Sequence, residues 1–287
     1  MNVLAFGEVL WDVYSDKRVI GGASLNFAAH AAKHGHRVSL STTVGADDEG
    51  DEAIRVVRNF GISTDYLGVN RDKQTGKCLV TLDEHAIPSY NLLSDVAYDY
   101  IDALWGGEEF DVLYFGTLAL RSEYNLRSLQ SILDEHEFKE IFVDLNIRAP
   151  FSTEEAVRFA LGRATIVKVS DEELAFVMRA VNAPSGDYRT AARSIAERYP
   201  NIRCIVVTLG DKGAYALDLS RGIEAECPAQ RVSVVSTVGA GDSFSASFLH
   251  KYHTTPLEHA LTYAVRIAGY VVSHYDAVPD YDVADFE

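Results

Sequence analysis

Short apolar runs alternate with longer amphipathic stretches along most of the chain. Runs typical of β-strands lie at 3–6, 38–44, 112–115, 141–145, 165–169 and 205–209. Stretches with helical spacing of apolar residues lie at 24–35, 48–60 and 122–135. Because the strand-type runs are apolar on both faces, the pattern predicts an α/β fold with a parallel sheet that is covered by helices. Ligands of such sheets bind at the carboxyl ends of the strands.

Residues 65–100 break this alternation. They contain two short strand-type runs, 78–82 and 89–93, which are joined by turn-rich segments without helical periodicity. We therefore predict one α/β domain over 1–287 with a β-structure inserted in it. The pattern alone leaves open whether the insertion is an ordinary hairpin, a lid or a dimer surface.

The composition indicates a globular chain with a large core and an acidic surface. Hydrophobic residues make up 47% of the 287 positions, and the formal net charge is −16. Lys and Arg are scattered, so we expect neither nucleic acid nor a membrane as a partner. The three cysteines, Cys78, Cys204 and Cys227, are far apart in the sequence. This spacing argues against a disulfide framework and favours a reducing, cytoplasmic location.

The segment 234–244 joins a strand-type run, a glycine-rich turn and the start of a helix-type run. Gly239, Ala240 and Gly241 are small enough for main-chain N–H groups to converge at a helix N-terminus, which makes an anion site. Asp242 follows directly, although a carboxylate repels a plain phosphate. Its place is explained if it accepts a proton from an attacking hydroxyl while the N–H groups stabilise a phosphoryl group. Taken alone, a first-turn aspartate is more often a simple helix start.

A second glycine pair, Gly21 and Gly22, precedes another helix-type stretch. Asn26 follows it, and its amide group can both donate to and accept from a polyhydroxylated ligand. Asp12 lies after the first strand and could bind sugar hydroxyls, although a plain loop acid is an equal explanation. Sequence signatures of P-loop NTPases, dinucleotide-binding enzymes and α/β-hydrolases are absent.

Two histidines, His30 and His34, are four residues apart on the first predicted helix. This spacing can bind a metal ion, but no third ligand is evident. We therefore predict that both histidines lie on a solvated helix face and have no role in function.

Together these segments resemble the ribokinase-like (PfkB) carbohydrate kinase family, in its fructokinase-like branch, over nearly the whole chain. Segments 21–26 and 237–242 resemble its two signatures. The resemblance implies a ribokinase-like fold, with helices on both faces of a mostly parallel sheet and a small β-sheet lid formed by about 9–20 and 65–100. It also implies phosphoryl transfer from ATP to a hydroxyl of a small sugar, with fructose 6-phosphate as the leading product.

The resemblance further implies roles for individual residues. Asp242 would be the catalytic base, and the amides of 239–241 and Arg148 would stabilise the transferred phosphoryl group. The residues that would bind the sugar are Asp12, Gly21, Gly22, Asn26, Tyr90, Asn91 and Asn146. The residues that would bind the nucleotide are Lys168, Ser170, Thr208, Gly210, Gly213 and Ala268. Glu173 would help to hold Mg²⁺ through water, although a helix capping box from Ser170 to Glu173 explains the same pair without a metal.

Two positions depart from the family pattern. Ser236 replaces an aspartate that commonly helps to hold an activating monovalent cation, so K⁺ activation stays open. Asp276 replaces a glycine that is usual near the nucleotide pocket. A kinase for 2-keto-3-deoxygluconate, ribose or a nucleoside, and a non-catalytic sugar-binding homologue, remain alternatives. The resemblance also implies a possible homodimer through the lid.

Overall fold

A nine-stranded sheet forms the centre of the computed structural model, which describes residues 1–82, 88–103, 106–184 and 186–287. The strands are β1 (Asn2–Phe6), β2 (Leu10–Val13), β3 (Arg18–Gly21), β4 (Arg37–Gly45), β5 (Leu67–Asn70), β6 (Gly76–Leu82), β7 (Pro88–Leu92), β8 (Val112–Gly116), β9 (Glu140–Asp144), β10 (Ile166–Ser170), β11 (Cys204–Thr208), β12 (Ala214–Asp218) and β13 (Ile223–Cys227). The helices are α1 (Ala23–Lys33), α2 (Asp48–Asn59), α3 (Glu123–Glu135), α4 (Glu154–Arg163), α5 (Leu174–Ala180), α6 (Tyr188–Arg198), α7 (Ala240–Tyr252) and α8 (Leu257–Val272).

The strand order of the large sheet is β13-β12-β11-β10-β9-β8-β1-β4-β5. Neighbouring strands from β11 to β5 are parallel, and β12 and β13 extend one edge as an antiparallel hairpin. The predicted fold class is confirmed, and each predicted strand of the parallel part lies within two residues of an observed one. Among the described helices, none has both the length and the apolar character that crossing a bilayer requires.

Alternate side chains of the central strands enter two separate cores. Phe142 and Ile166 lie in one core, which includes residues of α1, α7 and α8, whereas Val143 and Val167 lie in the other, which includes residues of α3 to α6. Burial on both faces explains why the strand-type runs lack polar alternation. The helices α1 and α7 therefore lie on the same side of the sheet.

A separate four-stranded sheet has the order β3-β2-β6-β7. Leu10, Cys78 and Val80 on one of its faces pack with Val96 and Tyr98. The first strand of the expected insertion, β5, instead pairs with β4 in the large sheet, so this small sheet takes up less of 65–100 than expected. The part of the expected lid at 83–87 lies outside the described residues.

The strand-type run before Gly239 is not a strand. It pairs with no strand of the described structure, it bends at Val235, and Val234 is 65% exposed. Two hydrogen bonds, from the main-chain N–H groups of Val235 and Ser236 to the carbonyl of Val272, attach it to the end of α8. The apolar β-branched run thus predicted a strand, whereas the chain here is hydrogen-bonded to the end of a helix.

The prediction of solvated histidines is also wrong. His30 is buried, with Nδ1 2.8 Å from Oη of Tyr281 and Nε2 2.9 Å from the carbonyl oxygen of Ala277. Nε2 of His34 lies 3.0 Å from Oγ of Ser247 on α7. Burial lowers the pKa of His30 to about 4 and that of His34 to about 2, so both rings are neutral at pH 7.

Candidate active site

The first turns of α1 and α7 meet on one side of the large sheet. Nδ2 of Asn26 on α1 donates a 2.8 Å hydrogen bond to Oδ2 of Asp242 on α7. Asp242 is 8% exposed, and burial raises its pKa, against the bond from Asn26 and the charges of Lys168 and Arg148. Oδ1 of Asp242 makes no hydrogen bond within the described residues, so it can accept a proton from a ligand.

The turn before Asp242 has the geometry of an anion site. Gly239 has a φ of 81°, and a Cβ added there would lie 2.4 Å from the carbonyl oxygen of Ala277, so only glycine fits. The N–H of Ala240 donates to the carbonyl of Thr237 at 3.3 Å, which differs from its expected role as a free donor. The amides of Gly239, Gly241 and Asp242 have no acceptor in the described part of the chain and are the better candidates.

A buried ion pair lies against this turn. Nζ of Lys168 donates to Oδ1 of Asp144 at 3.0 Å, and a Cβ added at Gly241 would lie 2.8 Å from the same Nζ. Burial disfavours the lysine charge, but nearby carboxylates, Asp144 first, raise the pKa of Lys168 on balance. Lys168, which was predicted to bind the nucleotide, is therefore an ammonium group at the N-terminus of α7.

Glu8 is a further candidate site residue, which no sequence motif marked. It is 3% exposed, and its Oε1 accepts a 2.9 Å hydrogen bond from the N–H of Ala23 at the start of α1. Gly22 has a φ of 111°, and a Cβ there would lie 2.4 Å from the carbonyl oxygen of Glu8. An acid directly after β1 was the available signal, because ligands meet parallel sheets at the carboxyl ends of strands.

Burial, with a smaller contribution from the charge of Asp242, raises the pKa of Glu8 from an ordinary value of 4.5 to about 7. A carboxyl whose pKa is raised by folding stabilises the folded state below pH 4.5, and this stabilisation is lost as the pH rises through 7. We predict that the free energy of unfolding of Glu8→Gln, relative to the parent chain, increases by about 2–3 kcal/mol between pH 5 and pH 8. Urea unfolding without ligands measures this difference.

The matched control for this experiment is Glu172→Gln, a substitution at an exposed position. The free energy of unfolding of this control should follow that of the parent chain across the same pH range. A Glu8→Gln curve that also ran parallel to the parent curve would contradict the raised pKa of Glu8.

Asp12 and Tyr90 lie on the same face of the small sheet. Asp12 is paired in register with Cys78, and Tyr90 with Val80, so alternation places all four side chains on the same face. Burial raises the pKa of Asp12 to about 6. Asn91 follows Tyr90 and lies on the opposite face, so the expectation that both residues face one sugar is wrong, and we retain Tyr90.

The loop after β9 carries two predicted site residues, Asn146 and Arg148. Asn146 has a φ of 42°, and Arg148 is exposed, with no hydrogen bond from its guanidinium group to the described residues. The positive charge of Arg148 opposes the rise in pKa of Glu8 and Asp242, which places it near both. Arg148 can therefore contact a ligand between the two acids.

Glu173 joins this loop to the end of β10. Its Oε1 accepts from the N–H of Ile147 at 2.6 Å, and its Oε2 accepts from the N–H of Ser170 at 2.7 Å. The predicted capping box is not formed, because α5 begins at Leu174 with Glu173 as its N-cap, and the N–H of Glu173 donates to the main-chain carbonyl of Ser170 instead of its hydroxyl. Each carboxylate oxygen keeps a further lone pair, so this structural role leaves room for a second one.

The predicted nucleotide residues other than Lys168 lie at two strand ends, in the turn that follows them and on α8. Ser170 and Thr208 are register partners at the ends of β10 and β11, and the next turn begins at Gly210 with a φ of 57°. A Cβ at Gly213 would lie 2.0 Å from the carbonyl oxygen of Cys227, so this glycine closes the turn. Ala268 lies on α8, whose last residue, Val272, accepts hydrogen bonds from the main-chain N–H groups of Val235 and Ser236.

Comparison with protein families gives a match over almost the full length. The model of the pfkB family carbohydrate kinases matches residues 2–283. A probable fructokinase of Arabidopsis thaliana is 24% identical over 279 residues, which is 86% of this chain and 81% of that protein. A deoxyribokinase of Salmonella typhi is 28% identical over 255 residues, which is 88% of this chain and 81% of that protein.

Solved structures of similar fold include sugar kinases with bound nucleotide. An uncharacterized sugar kinase from Pyrococcus horikoshii in complex with ATP has a TM-score of 0.83 at 23% identity, covering 99% of this chain and 96% of that one. A fructokinase double mutant from Vibrio cholerae, in fructose, ADP and potassium ion bound form, has a TM-score of 0.82 at 20% identity, covering 99% and 96%.

Proposed function

The chain belongs to the pfkB family of carbohydrate kinases, and we propose that it transfers the γ-phosphoryl group of ATP to the 6-hydroxyl of fructose. The observation that carries this proposal is the buried carboxylate of Asp242, which Asn26 orients at the N-terminus of α7. The first turn of α7 thus brings together a base and main-chain N–H groups that can donate hydrogen bonds to an anion. Phosphoryl transfer to an alcohol needs both in one place.

In the proposed reaction, the acceptor hydroxyl lies against Oδ1 of Asp242 and attacks the γ-phosphorus in line with the leaving ADP. The new bond joins the sugar oxygen to phosphorus, and the bond to the bridging oxygen breaks, so its electron pair leaves with ADP. Asp242 takes the hydroxyl proton. The free amides of the turn and the guanidinium group of Arg148 stabilise the negative charge on the transferred group.

The choice of fructose is supported by the relatives and by two side chains on one face of the small sheet. Fructokinases occur among the curated relatives and among the similar structures. Asp12 offers a carboxylate for sugar hydroxyls, and Tyr90 offers a ring on the same face. The second candidate is a deoxyribokinase, because a relative with that activity is 28% identical to this chain.

Glu173 fits a role in holding Mg²⁺ through water. Two main-chain N–H groups fix its carboxylate, and Mg²⁺ prefers oxygen ligands and keeps several of its waters. When bound with the nucleotide, the ion would neutralise phosphate charge. A potassium requirement is less well supported, because the hydroxyl of Ser236 lacks the negative charge of the usual aspartate.

The test is an acceptor panel with coupled detection of ADP, run with and without potassium. The panel contains fructose, deoxyribose, ribose, 2-keto-3-deoxygluconate and a nucleoside, and phosphorus NMR identifies the phosphorylated carbon. We expect the highest kcat/KM for fructose and phosphorylation at carbon 6. A preference of tenfold or more for another acceptor would replace fructose, and sugar binding without ADP release from any acceptor would contradict the kinase proposal.

A further inference from the structure

A positive side chain lies at the positive end of a helix in this protein. The ammonium group of Lys168 lies against the first turn of α7, in the space where a side chain at position 241 would be. Main-chain N–H groups give a helix N-terminus a partial positive charge, so a cation there is unfavourable unless anions offset it. Lys168 is only 6% exposed, which makes the placement more costly still.

The acid that holds this lysine is held in turn by α7. Asp144 is fully buried and is the register partner of Lys168 on the neighbouring strand. Its Oδ1 accepts from Nζ of Lys168, and its Oδ2 accepts from Oγ of Ser245, each at 3.0 Å. Ser245 follows Asp242 by three residues and thus lies on the same side of α7.

The ammonium group of Lys168 has N–H groups that make no hydrogen bond within the described residues. It carries three N–H groups, and within the described residues it makes one hydrogen bond, to Asp144. Glu173 and Asp242 are the further negative groups whose charges reach it, and both raise its pKa. The lysine therefore stays charged and can direct its remaining N–H groups to a ligand beside Gly241.

We propose that Ser245 and Asp144 are positioning residues that aim the Lys168 ammonium at the phosphoryl group during its transfer. The inference rests on the proposed kinase function and adds a further catalytic cation, together with the groups that orient it. Lys168 stabilises the charge on the phosphoryl and leaving oxygens and neither gains nor loses a proton. The proton of the acceptor hydroxyl still goes to Asp242, so the balance of the reaction is unchanged.

The decisive variant is Ser245→Ala, with Ser247→Ala as its matched control. Both serines are fully buried on α7, but Ser247 contacts His34 instead of Asp144. We expect Ser245→Ala to lower kcat roughly 10-fold with little change in the KM of the sugar, because the ammonium is less well oriented. The control should keep the parent kcat.

A pH profile separates positioning from a structural effect. Burial raises the pKa of Asp144 to about 6, and the bond from Ser245 favours its charged form. Protonation of the base Asp242 and of Asp144 both contribute to the acid limb of the kcat profile, and Lys168 and Glu173 are the other charged groups that face Asp144. Loss of this bond in Ser245→Ala should raise the pKa of Asp144 further and move the acid limb to higher pH. Ser247→Ala should leave the acid limb in place.

A binding experiment tests the lysine itself, whatever the acceptor is. Aluminium fluoride added to ADP imitates the phosphoryl group, and calorimetry measures how much it tightens ADP binding. We expect Lys168→Met to keep ADP binding, to lose most of this gain and to lower kcat by about 10²–10³-fold. If this variant does not fold, because Asp144 is buried without its partner, Ser245→Ala decides.

Two results would overturn the inference: equal kcat and equal acid limbs in the two serine variants, or an undiminished aluminium fluoride gain in Lys168→Met. The proposed function fails separately, when the parent chain phosphorylates no acceptor in the panel. In that case the aluminium fluoride experiment still reports whether Lys168 faces a phosphoryl group.

Discussion

Asp242→Asn is expected to lower kcat by about 10²–10⁴-fold, the usual contribution of a general base. The amide has the size of the carboxylate, and its oxygen can still accept the bond from Asn26, so the fold and sugar binding should persist. Removing a charge that burial disfavours should, if anything, stabilise the ligand-free chain. The measurements are kcat by coupled ADP release and sugar affinity by calorimetry.

The matched control for this variant is Asp51→Asn, which removes an exposed carboxylate from the first turn of α2. It should keep the parent kcat and sugar affinity. Activity of Asp242→Asn within a factor of three of the control would remove the base from the mechanism. Loss of both activity and sugar binding would indicate instead that the substitution had disturbed the site.

Gly239→Ala is expected to abolish most activity and also to destabilise the protein. An alanine there needs a left-handed backbone and would bring its Cβ within 2.4 Å of the carbonyl oxygen of Ala277. The main chain of the turn or of Ala277 must then move, which displaces the free amides of Gly241 and Asp242. We predict a kcat loss of about 10²-fold or more and a stability loss of about 1–3 kcal/mol.

Gly61→Ala is the control that isolates the backbone strain. Gly61 has a φ of 76°, close to that of Gly239, but an added Cβ would meet nothing within 4 Å. It should therefore show a smaller stability loss, about 1 kcal/mol, and the parent kcat. Equal stability losses in the two variants, with kcat unchanged in both, would show that the contact with Ala277 does not matter.

The sequence predicted those parts of the site that depend on chain-local geometry. Gly239 and Gly22 both have positive φ angles, and each faces a carbonyl oxygen that would exclude a Cβ, so glycine is required at both positions. Local sequence also predicted that Asp242 lies in the first turn of a helix. The alternation of strands and helices then implied that such turns share one edge of the sheet.

The sequence did not predict features that depend on burial or on strand register. No feature of the local sequence indicates that the pKa of Glu8 is raised, because the rise comes from the packing of β1 against α1. Tyr90 and Asn91 are neighbours on β7 and so lie on opposite faces, but which of them shares a face with Asp12 is decided by the pairing of β7 with β6 and of β6 with β2. The exposed Val234 was misjudged because β-propensity measures fit to a sheet that is not present there.

The hydrogen bond between Asn26 and Asp242 joins residues that are 216 positions apart. Contacts of such large sequence separation form late, because the entropy of closing the intervening chain is lost before the contact contributes. During synthesis on the ribosome, the amide side of this pair emerges long before its carboxylate. The helix that carries Asn26 is thus made long before the proposed base, and the pair cannot form until synthesis is nearly complete.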